Sequence, residues 1–411
     1  MKTHAIDAAA SPVRHRAFRL LFGAQAISTM GDTFTDVALP FAVLQLTGSV
    51  ADIGYVLAAQ TVPLVLFLLF GGVWADRVPR RSSLLVGSNL VRFGSQATIA
   101  LLLLTGTAHL WQLIALIAVH GLATAVFYPA ATGLVPQTVS EQDLQQANAL
   151  LSFTISSSSV VGPALAGGLV VLAGPGWAIA IDAVSFAVSG LLLMFVRVPG
   201  TIDLNMDGGT IAQLRSGWYE VRSRTWVWAS IANFAAFQFA GLGFLFVLGP
   251  AIAARFLGGP SVWGLLLTAA GVGSVLGDLT ALRYRPSRVL IAMTTAILFC
   301  VPTLVLLAVA APTPWLICAQ VAFGAGLSFA NTTWLTALQQ HIPQRALSRV
   351  SAYDWMGSSA LRPLGQALAG PLAAAIGVRD ALLAAAVVIA FSSALTLRLR
   401  SVRELRKLAG S

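Results

Sequence analysis

Long apolar segments recur along the whole chain, and short breaks containing glycine, proline or charged residues separate them. About 20 mostly apolar residues in an α-helix cross the hydrocarbon core of a bilayer, so each segment is long enough to span a membrane. The pattern predicts an all-α membrane protein with twelve transmembrane helices, here numbered as spans one to twelve. The predicted bounds are 17–45, 51–74, 83–105, 109–134, 144–173, 176–196, 226–255, 261–281, 287–310, 313–337, 347–375 and 378–398.

Composition points the same way. Of the 411 residues, 57% are hydrophobic and only 10% are charged, and the mean hydropathy is +0.82. Too few polar side chains remain to cover a water-soluble surface of that size. This excludes a soluble enzyme and a nucleic-acid-binding module, although the net charge of +10 would otherwise suggest a nucleic-acid partner.

The basic residues are distributed asymmetrically between the breaks. If both termini are cytoplasmic, 21 of the 25 Lys and Arg residues fall on the cytoplasmic side, and only Arg255 and Arg379 fall on the outer side. Basic loops stay in the cytoplasm, so this division predicts cytoplasmic termini, and the surplus charge also favours contact with anionic lipid. Arg92 and Arg362 remain inside predicted spans.

The chain is predicted to consist of two six-helix halves. Residues 1–196 form an amino-terminal bundle, 197–225 a cytoplasmic linker, and 226–411 a carboxy-terminal bundle with a basic tail. A repeat supports the division, because GPALAGG at 162–168 and GQALAGP at 365–371 agree in five of seven positions and are 203 residues apart. Such repeats imply bundles related by a pseudo-two-fold axis, with a ligand site near mid-membrane between them.

The break after span two reads GVWADRVPRR at 72–81. It resembles the loop pattern of the major facilitator superfamily, and with the twelve-span pattern the resemblance covers essentially the whole chain. It implies the major facilitator fold and a conformational latch at this loop; the alternative is a solvated turn that obeys the charge rule. The residues that carry the pattern are Gly72, Asp76, Arg77, Arg80 and Arg81, while Pro79 stands where glycine is usual.

Span five carries GPALAGG, which is similar to the antiporter motif of the same superfamily. The matching residues are Gly162, Pro163, Gly167 and Gly168. A narrower resemblance is to bacterial macrolide-efflux pumps and siderophore exporters, in stretches such as GDTFTDVALPFAVLQLTGS at 31–49 and DAVSF at 182–186. The span-four arginine of many proton-coupled drug exporters is missing, and Ile117 and His120 occupy its neighbourhood.

Ionisable residues inside a bilayer are costly, so each one is a functional candidate. Asp32 and Asp36 lie four residues apart on one face of span one. Two nearby carboxylates repel in a low dielectric, which favours proton exchange by at least one of them, and the pair could equally attract a cationic substrate. His120 is a third candidate for proton coupling. The alternatives are hydrogen-bonded carboxylates near the outer water and a packed core histidine.

Other polar and aromatic residues within the spans are candidates for the wall of a substrate cavity, although aromatic residues in membranes more often pack or anchor. These candidates are Gln60, Asn233, Phe237, Gln238, Asn331, Trp334, Trp355 and Arg362. Arg92 and Asp182 lie on spans that the resemblance makes supporting ones, and we interpret both as structural.

The sequence lacks the motifs of a serine hydrolase, a zinc protease and an ATP-binding phosphate loop. We therefore predict no catalytic residues, no metal and no cofactor. The predicted function is that of a monomeric secondary transporter of the bacterial cytoplasmic membrane that exports an amphipathic drug, siderophore or natural product against proton entry. The alternatives are uptake or lipid transport within the superfamily and, less favoured, a polytopic membrane enzyme.

Overall fold

The structure is a computed structural model that describes residues 11–77, 81–197, 218–284 and 286–405. All regular secondary structure in these ranges is helical. The chain divides into two compact units. Unit 1 comprises Met1–Gly48 and Ala59–Leu204, and unit 2 comprises Ser49–Ala58 and Asn205–Ser411.

Six long helices follow one another from the amino terminus. They are α1 (Arg16–Thr47), α2 (Val50–Arg77), α3 (Arg81–Leu104), α4 (Leu110–Thr138), α5 (Leu144–Ala173) and α6 (Pro175–Met194). Short helical turns at Ser11–Arg14 and Glu141–Asp143 precede α1 and α5. The first residues of α2 belong to unit 2 and the rest of that helix belongs to unit 1.

Unit 2 contains both long helices and short ones. They are α7 (Thr225–Ala236), α8 (Gly243–Ile252), α9 (Pro260–Arg283), α10 (Val289–Ile297), α11 (Cys300–Ala308), α12 (Thr313–His341), α13 (Gln344–Ser359), α14 (Arg362–Ile376), α15 (Val378–Arg398) and α16 (Arg400–Glu404). Two π-helical segments, Phe237–Leu242 and Ala253–Leu257, continue α7 and α8.

Each of the twelve predicted spans coincides with one helix or with a pair of consecutive helices in the described residues. Two predicted spans are interrupted at proline. Pro363 stands at the start of α14, where its missing N–H costs nothing, and the helix before it ends at Ser359. Pro302 cannot donate to the carbonyl of Leu298, which explains the break between α10 and α11.

Nine helical segments in the described part of the chain are long and apolar enough to cross a membrane. The three predicted spans outside that group are α1, α3 and the α13–α14 pair. They carry Asp32, Arg92 and Asp354, respectively. Each of these three spans thus carries an ionisable residue, which is costly against lipid and favours a position in the protein interior.

The apolar core of unit 1 includes Phe18 and Leu21 of α1, Leu85 of α3, Leu134 of α4 and Leu193 of α6. All five side chains are fully buried. These residues lie in the first part of α1 and α3 and the last part of α4 and α6, so they occupy the predicted cytoplasmic end of the unit. Further along the same helices, several buried positions are polar, among them Asn89, Gln96 and Asp182.

Glycines bring helices into close contact at corresponding points of the two units. A Cβ added to Gly162 of α5 would lie 2.0 Å from Oγ1 of Thr33 on α1, the first span of unit 1. A Cβ added to Gly365 of α14 would lie 2.1 Å from the carbonyl oxygen of Phe239, in the first span after the linker. The two glycines are the pair related by the 203-residue repeat.

Candidate functional site

A polar face on α3 organises the buried interior of unit 1. Asn89, Arg92 and Gln96 are three and four residues apart, a spacing that places them on one side of the helix. All three are buried: Arg92 is 2% exposed and the other two are 0% exposed. Polar groups this deep need partners, and those partners come from α1, α4 and α6.

Helices α1, α3 and α6 are joined by hydrogen bonds at Asp182. The Thr35 hydroxyl donates to Oδ2 of Asp182 at 2.6 Å, and the Gln96 amide donates to the same oxygen at 3.0 Å. The Gln96 amide also lies 3.2 Å from Oγ1 of Thr35. Gly31 permits this approach, because a Cβ there would lie 2.7 Å from Oδ1 of Asp182 and 2.1 Å from Oγ of Ser185.

One turn away, Arg92 is held between two aromatic rings. Its guanidinium carbon lies 4.0 Å from the centre of the Phe127 ring and 4.3 Å from that of Phe186. Arg92 also donates to Oδ1 of Asn89, and the Asn89 amide donates to the Ser189 hydroxyl at 2.8 Å. Aromatic faces stabilise a desolvated cation, so this environment suits a charged guanidinium at membrane depth.

The three proton-coupling candidates lie on or near this cluster. Asp32 is half-buried on α1 and interacts electrostatically with Arg92, Asp36 and Asp182. Asp36 is exposed, one turn further along α1. His120 is buried on α4 with its ring 5.5 Å from Phe186, and its Nδ1 has no hydrogen-bond partner among the described residues.

Two of the cavity candidates in unit 2 are buried with defined partners. The hydroxyls of Ser392 and Ser393 donate to Oδ1 of Asn233, at 2.9 and 3.3 Å. The indole N–H of Trp334 donates to Oδ2 of Asp354 at 2.8 Å. These contacts join α7 to α15 and α12 to α13, so both side chains contribute to packing within the unit.

The other cavity candidates are placed individually rather than together. Phe237 is buried against Phe323, with ring centres 6.3 Å apart, and the Arg362 guanidinium lies 5.7 Å from the Phe246 ring. Gln238 is half-buried in unit 2, whereas Asn331 and Trp355 of unit 2 are exposed and Gln60 is half-buried in unit 1.

The predicted latch lies at the junction of α2 and α3. Gly72, Asp76 and Arg77 are in the last turns of α2, and Arg81 begins α3. Arg80 lies outside the described residues, as do the side chains of the other four. The latch therefore remains a prediction.

The antiporter-like motif lies in the middle of α5. Gly162, Pro163 and Gly167 are buried, and Gly168 is half-buried. Gly162 faces Thr33 on α1, whereas a Cβ on Gly168 would meet no atom within 4 Å. The glycines of the motif thus differ. Gly162 contacts α1 so closely that a side chain would not fit, whereas Gly168 has room for one.

This difference leads to a test. We expect Gly162→Ala to destabilise the protein by about 1–3 kcal/mol, because the added methyl group overlaps Thr33. The matched variant Gly168→Ala should be neutral or slightly stabilising, since alanine favours helix more than glycine does. Thermal unfolding in detergent, followed by circular dichroism, measures both. Equal midpoints for the two variants would contradict the proposed contact.

Sequence reasoning found Asp32 but not the residues that surround it. The sequence pattern does not distinguish Thr35, Asn89, Gln96, Phe127, Phe186 and Ser189 from other span residues, and it favours a structural role for Arg92 and Asp182. The spacing of polar residues at 89, 92 and 96 was the available signal, because an apolar span has little reason to carry three polar residues on one face.

In the described ranges, the helices that match the twelve predicted spans and the polar, hydrogen-bonded interior of unit 1 are typical of a polytopic helical membrane protein. The sequence profile of the Major Facilitator Superfamily matches residues 21–365. The chain belongs to this superfamily, so it is a membrane transporter, and the predictions of family and fold are confirmed.

Relatives and solved structures agree with this assignment. The chain is 25% identical to the multidrug efflux pump Tap of Mycolicibacterium fortuitum, over 94% of this chain and 96% of Tap. It is 26% identical to the enterobactin exporter EntS of Salmonella choleraesuis, over 88% and 86% of the two chains. The crystal structure of a bacterial homolog of the human lysosomal transporter Spinster matches with a TM-score of 0.74 at 15% identity, covering 97% of this chain and 99% of that one.

Proposed function

We propose that the chain exports an amphipathic small molecule, such as a drug, a siderophore or a secreted natural product, from the cytoplasm. Two relatives that align over most of their length support this: the efflux pump Tap and the enterobactin exporter EntS. Export also agrees with the antiporter-like motif in α5. The Spinster homolog shares the fold at 15% identity and carries no argument about cargo or direction.

We further propose that proton entry drives export. The observation that carries this proposal is the half-buried carboxyl of Asp32 beside the buried cluster of Arg92, Gln96 and Asp182. A carboxyl at membrane depth can gain and lose a proton if nearby charge stabilises both forms. The chain contains no ATP-binding phosphate loop, which leaves an ion gradient or the substrate gradient as the energy source.

The same proposal assigns topology and mechanism. The distribution of basic residues supports cytoplasmic termini in a bacterial inner membrane, and the repeat supports two six-helix halves joined by the segment 197–225. A monomer working by alternating access agrees with these features. Asp36 and His120 are secondary proton candidates, because the first is exposed and the second has an available ring nitrogen.

An efflux screen tests the direction of transport. The chain is expressed in a bacterium that lacks its own drug pumps, and growth is measured against structurally different amphipathic drugs and against siderophores. We expect raised tolerance to one chemical class, and faster accumulation of that class in everted vesicles than in right-side-out vesicles. An empty vector is the control. Accumulation by right-side-out vesicles would instead establish uptake.

A further inference from the structure

The hydrogen bonds between α1 and α3 place Arg92 beside Asp32. Spans one and three, α1 and α3, run in the same direction, and Gln96 donates to Thr35 between them. Asp32 precedes Thr35 by three residues and Arg92 precedes Gln96 by four, so both lie about one turn back from that contact, on its cytoplasmic side. Asp32 and Arg92 accordingly interact electrostatically.

The position of Arg92 is held by three neighbours. Phe127 and Phe186 stack on its guanidinium at 4.0 and 4.3 Å, and Asn89 accepts one of its N–H groups. No ion pair within 4.0 Å joins Arg92 to Asp32 among the described residues, and the Nε of Arg92 has no hydrogen-bond partner there. Asp32 thus experiences the positive field of a fixed cation without being tied to it.

The ionisable groups around Asp32 come from four helices. They are Asp32 and Asp36 of α1, Arg92 of α3, His120 and Tyr128 of α4, and Asp182 of α6, while α5 contributes none. One cation thus stands with two buried or half-buried carboxyls, Asp32 and Asp182. An uncompensated charge is costly in a low dielectric, so one of these carboxyls must hold a proton.

Exposure and hydrogen bonding distinguish the two carboxyls. Asp182 is 0% exposed, and its Oδ2 accepts from both Thr35 and Gln96. Full burial closes Asp182 to exchange with water. Asp32 is half-buried, so its proton can reach water. Asp32 is therefore the carboxyl whose proton can exchange, while Asp182 is the fixed acceptor that joins α1 and α3 to α6.

We propose that Arg92 is the positioning residue for proton exchange at Asp32, an inference that rests on the proposed proton antiport. The O–H bond of the Asp32 carboxyl breaks, its electron pair stays on the oxygen, and the proton passes to water. The clamped guanidinium stabilises the resulting carboxylate, which would otherwise hold its proton throughout the transport cycle. Arg92 touches no substrate in this role and acts only through Asp32.

An infrared titration of the purified full-length protein tests this assignment without transport. The carboxylic-acid C=O band of Asp32 is the band that Asp32→Asn removes, and its intensity is followed against pH. We expect Arg92→Met to move the midpoint of this band upward by at least about one pH unit, because the loss of the cation disfavours the carboxylate. Arg92→Lys keeps the charge and should keep the midpoint within about half a unit of the native value.

A second variant keeps the test valid if Arg92→Met does not fold. Phe186→Leu keeps the charge but removes one ring of the clamp, and we expect a smaller upward shift of the same band. An unshifted midpoint in folded Arg92→Met, or in Phe186→Leu if Arg92→Met does not fold, would overturn the role of Arg92. Proton antiport is tested separately. If transport by the native protein does not depend on a pH gradient, proton antiport is refuted, whereas the infrared result for Arg92 still holds.

Discussion

Asp32→Asn is expected to abolish the accumulation of substrate that a pH gradient drives in everted membrane vesicles. One proton exchanged per molecule would give about tenfold accumulation for each pH unit of gradient, because one pH unit corresponds to about 1.4 kcal/mol. Asparagine cannot carry that proton, so accumulation should fall to the level of vesicles without the protein. Asparagine is close in size to aspartate, and the half-buried position should tolerate it.

Exchange of labelled for unlabelled substrate across the same vesicles separates coupling from binding. This exchange needs no net proton transfer, so we expect it to persist in Asp32→Asn. Asp380→Asn is the matched control, because Asp380 is exposed in the first turn of α15, far along the chain from the cluster. Native-like accumulation by Asp32→Asn would show that Asp32 does not carry the coupling proton.

Asp182→Ala is expected to produce the largest loss of stability among the variants considered. The change leaves the buried Thr35 hydroxyl and Gln96 amide without their acceptor, in a fully buried interior that also holds Arg92. Removing one partner from a buried charged network costs about 3–5 kcal/mol. Denaturation in a graded mixture of mild detergent and dodecyl sulfate, followed by circular dichroism, measures the change.

Two further variants at acidic positions show how much of that loss of stability comes from the hydrogen bonds at Asp182. Asp182→Asn keeps an oxygen that can accept from Thr35 and Gln96, so its loss should be smaller than that of Asp182→Ala. Asp380→Ala alters an exposed carboxylate and should stay within about 0.5 kcal/mol of the native protein. If Asp182→Ala unfolds at the same proportion of dodecyl sulfate as the native protein does, the hydrogen bonds at Asp182 contribute little to stability.

The fold could be predicted from sequence because its main signals are local. A run of about 20 apolar residues signals a span wherever it occurs, and the position of arginine signals its direction. The interruptions were harder to foresee. Pro363 and Pro302 both lie inside predicted spans, and whether a proline kinks a helix or ends it depends on packing by its neighbours.

The candidate site was predictable only in part, for a related reason. Asp32 stands out because a carboxylate in an apolar span is costly wherever it lies. Its surroundings are set by contacts between distant parts of the chain: Asp182 meets Thr35 across 147 residues, and Asn89 meets Ser189 across 100. Threonine, asparagine and serine are common in helices, so one sequence does not show which of them face each other.

Simultaneous measurement of substrate and proton movement tests the central claim most directly. Purified protein is reconstituted in liposomes that contain a pH-sensitive dye, and a compound to which the expressing strain has become tolerant is added on one side. Proton antiport predicts that protons cross opposite to the compound, in fixed proportion to it, and that Asp32→Asn abolishes the proton signal. Flux of the compound with no proton movement in the native protein would contradict the account.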